Sequence, residues 1–170
     1  LNHLVPEVRA ALIDTALSLA QHFDFIRFDA AMTLLKEHFR RLWFPAPGAA
    51  AVIASRSAFV MADAEFDRLM PEFWRELATA FELRSPGTLL MAEAFWLTEN
   101  YFIRTIGINR VYNSAFMHFL HEEKNEDFSR FMAGHLKNGE TLPRFVNYLS
   151  TPDEKSAAEI FGRGDKYFGA

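Results

Sequence analysis

The sequence predicts an α/β fold built on parallel strands, and three observations point that way. Short aromatic and β-branched runs, FDFIRF, GTLLMAEAF, INRVYNSAF and LPRFVNYLS, alternate with stretches of helical composition, giving a βαβαβαβ-like order. Hydrophobic residues make up 50% of 170 residues, enough for one globular core. Finally, carboxylates stand at the ends of three of the expected strands: Asp29, Glu93 and Asp153. In a parallel sheet or a β/α barrel, sites gather at the C-terminal ends of the strands.

The first helix is expected over Pro6 to His22, with proline suited to its first turn. FDFIRF follows as a strand, and DAAMTLLKEHFRRLWF, rich in alanine, leucine and lysine, as a helix. Residues Pro45 to Val60 carry proline, glycine and small residues without a sustained period, so they read as a long loop. MADAEFDRLMPEFWRELATAF resumes helix, with Asp63 as a cap and Pro71 opening a second helix. After the Ser-Pro-Gly turn, GTLLMAEAF reads as a buried strand. TENYFIRTIG is a short helix or turn, INRVYNSAF a strand, and MHFLHEEKNEDFSRFMAGHLKNG one helix closed by Gly139. LPRFVNYLS begins the fourth strand, and KSAAEIFGRGDKYFGA a short helical segment.

Composition excludes several classes of function. The formal net charge of -4 provides no basic stripe, which argues against nucleic acid or an anionic membrane as partner. No apolar run is long enough to span a bilayer. Cysteine is absent, so disulfides and thiolate metal sites are impossible, while the compartment stays open with the cytoplasm favoured. Eighteen phenylalanines suit a large core or a sugar-facing cleft, the core being the commoner use. The chain starts at leucine almost directly in a helical pattern and stops at RGDKYFGA, so it reads as a piece of a longer protein.

Within FIRFDAA, strand alternation puts Arg27 and Asp29 on one face, where they can pair. A structural ion pair is the bland reading and a charged site the sharper one. Taken alone, Asp29 is expected as the N-cap of the helix that follows. Glu93 has no such role. Its flanks, LLMA and AF, would desolvate a carboxylate, a setting that suits a proton donor. His118 and His121 stand three apart, but no third ligand follows at a recognisable spacing, so no metal site is expected. Phe95, Trp96, Tyr101 and Tyr112 are candidates for stacking on sugar rings, although core packing is the commoner role. GRGDK contains no complete phosphate-loop pattern and reads as a turn.

FIRFDAA, LLMAEAF and RFVNYLSTPDE, in this order and at strand ends, resemble the second, third and fourth signature regions of the alpha-amylase superfamily of glycoside hydrolases. The likeness extends to bacterial alpha-amylase-like proteins carrying AEAFW, RVYNSAFM and PDE stretches. It implies a partial (β/α)8 TIM barrel, from just before strand four to just after strand seven, with residues 1–170 a fragment of the catalytic domain. It further implies a retaining glycosidase or transglycosylase acting on α-glucosidic bonds of α-glucans or oligosaccharides, without a cofactor, partnered by the remainder of its barrel. By position, Asp29 matches the nucleophile, Arg27 the residue that orients it, Glu93 the acid/base, and Asp153 the third carboxylate that holds sugar hydroxyls. Three departures stand beside these matches: Pro152 replaces the usual histidine before the third acid, Met32 and Thr33 replace a lysine-histidine pair, and an excursion between Arg41 and Pro71 reshapes one cleft wall. Pro152 feeds an alternative, a non-catalytic carbohydrate-binding or structural relative. A four-strand piece would leave sheet edges and apolar faces uncovered, and low stability in isolation is the expectation.

Overall fold

Residues 1–95, 97–137, 139, 141–162 and 164 are described by the computed structural model, the side chain of residue 135 excepted. Helix α1 (Pro6–Leu19) opens on a proline, whose ring presets the helical φ and whose missing N–H would have no partner in the first turn. Strand β1 (Phe25–Phe28) follows, and then the chain departs from expectation. Instead of one helix capped by Asp29, a 3-10 turn (Ala31–Leu34) precedes helix α2 (Lys36–Trp43). Neither Ala30 nor Leu35, the residues at the two N-caps, makes a side-chain cap. Asp29 is not a cap because its carboxylate is turned onto Arg27, and Leu35 is extended (φ -55°, ψ 136°), which breaks the helix.

The loop after α2 is tied at its base by the Met61 N–H donating to the Pro45 carbonyl (3.2 Å), and it contains a 3-10 turn at Ala54–Arg56. Helix α3 (Asp63–Leu69) also lacks the expected cap: Ala62 holds that position, and Asp63 pairs with Arg40 at 2.5 Å. Pro71 does not open the next helix, since Glu72 is the N-cap of α4 (Phe73–Arg84). Strand β2 (Leu89–Ala92) leads to a short helix α5 (Glu99–Tyr101) that widens into a π-turn (Phe102–Ile106). Gly107, at φ 96°, closes it, and the Phe102 carbonyl accepts the N–H groups of both Gly107 and Ile108.

Strand β3 (Arg110–Tyr112) is followed by two helices where the pattern suggested one, α6 (Ser114–His121) and α7 (Asn125–Leu136). The break falls at Glu123, in the left-handed region at φ 56°. Asn113 caps α6, its Oδ1 accepting the Phe116 N–H at 3.1 Å. A 3-10 turn (Leu142–Arg144) enters strand β4 (Phe145–Val146), and helix α8 (Ala157–Phe161) begins with a capping box of Ser156 and Glu159. Most of GRGDK and the rest of the expected C-terminal helical segment lie outside the described residues.

All four strands are parallel and their spatial order is their chain order, β1-β2-β3-β4. Register pairs Ile26 with Leu90 and Phe28 with Ala92, and Ala92 with Val111 in turn, so these side chains share one face. That face is packed against Phe73, Trp74, Leu77 and Phe81 of α4, Leu17 of α1 and Phe102 and Ile106 of the π-turn. The opposite face carries Phe25, Arg27, Leu89, Met91, Arg110, Tyr112 and Val146, and its paired Phe25 and Leu89 are exposed. Among the described residues, no helix is long and apolar enough to cross a membrane.

Candidate functional site

Parallel register carries the end of β1 beside the end of β2. The Glu93 N–H continues the ladder to the Phe28 carbonyl at 3.0 Å, which puts the Glu93 side chain next to the turn that leaves β1. There Ala30 takes a left-handed conformation (φ 43°), uncommon for a residue with a Cβ, and its N–H donates to Glu93 Oε2 at 2.8 Å. The turn is held from below by Trp74, whose indole N–H donates to the Ala31 carbonyl at 2.9 Å while its ring packs edge-on against Phe28.

Arg27 is the hub. One guanidinium nitrogen, Nη1, lies 2.7 Å from Asp29 Oδ1, and the other, Nη2, lies 3.0 Å from Glu93 Oε2. Its Nε donates to the Tyr112 hydroxyl at 2.6 Å. Burial works against the Arg27 charge, but the bonds to Tyr112 and Asp29 and the negative charge of Glu93 outweigh it and raise its proton affinity. The two carboxylates differ sharply in access: the Asp29 side chain is 76% exposed and that of Glu93 5%. One open carboxylate and one enclosed carboxyl, joined by a fixed cation, are thus the products of two adjacent strand ends.

Of the residues singled out from sequence, Arg27, Asp29 and Glu93 are therefore brought together. Asp153 stands apart from their bonds, exposed in the turn that follows β4. Tyr112 is in the site through Arg27 and also makes an edge-on contact with Phe95. Trp96 lies outside the described residues. His121 bonds the Leu149 carbonyl at 2.7 Å and packs on Phe161, and no group of three or more His, Cys, Asp or Glu side chains able to hold a metal exists among the described residues.

Two neighbouring residues escaped sequence reasoning. Glu99, buried at the start of α5, accepts the Ser114 hydroxyl at 2.8 Å; its sequence setting, after Thr98, looks like any helix start. Tyr148, just past β4, packs its ring against that of Tyr112 at 4.9 Å between centroids. Alternation along LPRFVNYLS could have placed it near a strand end, but nothing local marks it. Thr33 donates its hydroxyl to the Ala30 carbonyl at 2.8 Å and opens a cavity of about 430 Å³ that it lines with His38, Arg41, Leu42 and Val52. Val52 belongs to the long loop, so the loop lines this cavity together with the turn after β1 and helix α2.

A further carboxyl, Glu72, ties α2 to α4. Its Oε2 accepts the Lys36 N–H at 3.2 Å and lies 3.5 Å from the Tyr101 hydroxyl, while its Oε1 is buried without a partner among the described residues. Burial pushes the Glu72 carboxyl above its ordinary value, against the opposing pull of the Lys36 and Trp74 N–H groups. Folded Glu72 then holds its proton more tightly than the unfolded chain does, so its contribution lowers stability as pH rises from the ordinary carboxyl value through the raised one. Glu72→Gln should remove that loss. In thermal unfolding followed from about pH 4 to about pH 7, the stability of the variant relative to the wild type should rise with pH, and parallel profiles would contradict the assignment.

No protein-family model, curated protein or solved structure matches this chain.

Proposed function

We propose that this chain carries the catalytic carboxylates of a retaining glycoside hydrolase or transglycosylase acting on α-glucosidic bonds of α-glucans or oligosaccharides. The observation that carries the proposal is the shared guanidinium: Arg27 bonds Asp29 with one nitrogen and Glu93 with the other, at the ends of neighbouring parallel strands. A retaining enzyme needs a charged carboxylate to attack the anomeric carbon and a second carboxyl, about 5–5.5 Å away, to protonate the leaving oxygen. Asp29 is suited to the first role because it is open to an incoming substrate and faces a permanent cation. Glu93 is suited to the second because it is enclosed and fixed by the Ala30 N–H. In the first step Glu93, an ion-paired carboxylate in the free protein, has taken up a proton from solvent; the Asp29 carboxylate bonds the anomeric carbon as the glycosidic C–O bond breaks and that proton passes to the departing oxygen. In the second, Glu93 takes a proton from water or a sugar hydroxyl, which displaces Asp29 and restores both groups.

The partial (β/α)8 barrel belongs to the same proposal. Helices cover one sheet face, and the other presents Phe25 and Leu89 to the space that further strands would enclose. Asp153 is assigned the third carboxylate role, holding sugar hydroxyls from the loop after β4. Activity profiling of the full-length protein on a panel of α-linked glucans tests the reading. Release of sugar with retained α-configuration is expected, and binding without turnover would favour the non-catalytic alternative to which Pro152 points.

A further inference from the structure

We propose that Tyr112 is a positioning residue of this site: by accepting the Arg27 Nε–H it fixes the plane of the guanidinium, so that Nη1 is held toward Asp29 and Nη2 toward Glu93 during the reaction; the inference rests on the glycosidase reading. The guanidinium has three nitrogens, and each meets a different segment. Nη1 faces Asp29 in the turn after β1 at 2.7 Å, Nη2 faces Glu93 just past β2 at 3.0 Å, and Nε donates to the Tyr112 hydroxyl at the end of β3 at 2.6 Å. Strand β3 is not a neighbour of β1 in the sheet, so the phenol reaches Arg27 across β2.

The charge of Arg27 does not call for this third bond. Two carboxylates already face it, and a neutral phenol adds no charge. What the phenol adds is direction. A guanidinium held only through Nη1 and Nη2 can tilt, because the Asp29 side chain is 76% exposed and has room to follow it; a bond at Nε removes that freedom. The anchor is itself held, since the Tyr112 ring packs against that of Tyr148 at 4.9 Å and edge-on against Phe95 at 6.3 Å. A neutral acceptor also leaves the cation to the two acids, where a third carboxylate would compete for it. The bond acts on the two reacting carboxyl groups and not on the sugar, so its loss belongs in kcat and not in KM.

The test is Tyr112→Phe in the full-length protein, which keeps the ring and removes the acceptor. Nuclear magnetic resonance follows exchange of the Arg27 Nε–H with water, the signal being identified by its absence from Arg27→Lys, and turnover is measured with maltotriose as probe. In the wild type the Nε–H is expected to be protected, and in the variant to exchange about tenfold faster. The variant should show kcat about tenfold lower with KM within about twofold, because small displacements of reacting groups are costly in rate. An Nε–H that exchanges as fast in the wild type as in the variant would overturn the inference, as would unchanged kcat or a loss confined to KM. Loss of the fold in Tyr112→Phe would give the hydroxyl a structural role and overturn it too. Absence of wild-type turnover, with the Nε–H behaving as expected, would overturn the glycosidase reading and leave the anchoring of the guanidinium standing.

Discussion

On the proposed glycosidase mechanism, Glu93→Gln is expected to lower turnover of an α-glucan by about 10²–10⁴-fold, with KM changed far less, because it would remove the group that delivers a proton to the departing oxygen. Glutamine keeps an oxygen for the Ala30 N–H, so the turn after β1 should survive and near-ultraviolet circular dichroism should be close to that of the wild type. On the same proposal Asp29→Asn should be at least as damaging to turnover, since it would remove the proposed attacking group, and gentler on the fold, since its side chain is open to solvent. The two losses should not add, because each variant stops the same reaction. Rates near wild type for either variant would refute the assigned roles.

Arg27→Met is expected to produce the largest loss of stability. Two ion pairs disappear, but they are not equal. The pair with Asp29 involves a carboxylate that is 76% exposed and contributes about 0–1 kcal/mol. The pair with Glu93 matters more, because methionine would leave an enclosed carboxylate without its cation, a change worth about 3–5 kcal/mol in a fully buried setting. With Arg27 itself 32% exposed, about 2–3 kcal/mol is the expectation. The penalty arises from the charge left behind, so Glu93→Gln in the Arg27→Met background should recover part of it. Denaturant unfolding of the wild type, both single variants and the double variant measures the coupling, and strictly additive effects would mean that Arg27 and Glu93 do not interact in solution.

The distances explain why the site was partly legible in the sequence. Arg27 and Asp29 are two residues apart in a strand, and alternation alone puts them on one face within reach of each other. Glu93 is 64 residues further on than Asp29, yet its apolar flanks marked it as a carboxyl with no solvated excuse. Tyr148 and Glu99 carry no such mark. Their positions depend on β3 and β4 lying in order beside β2 and on α5 bringing Glu99 to the Ser114 hydroxyl just past β3, which no local pattern specifies. Helix starts misled for a related reason. Asp29 and Asp63 have the residue type and position of N-caps, but each has an arginine within bonding distance, and a guanidinium competes with a backbone N–H for the same oxygen.

The sequence by itself determined the alternation of strands and helices, because hydrophobic period and turn residues act over a few neighbours and need no partner. It also determined the Arg27–Asp29 pairing, which is a property of one extended segment. Alternation also pointed to parallel pairing, and tertiary structure decided the rest: that the four strands lie in chain order, that the helix expected after Asp29 breaks into a 3-10 turn and α2, and that Glu93 shares a guanidinium with Asp29. The Ala30 conformation shows the physical reason. A left-handed alanine is unfavourable for the isolated segment, and it is held by the Glu93 carboxylate on its N–H and the Trp74 indole on the next carbonyl, partners 63 and 43 positions along the chain that no local pattern supplies.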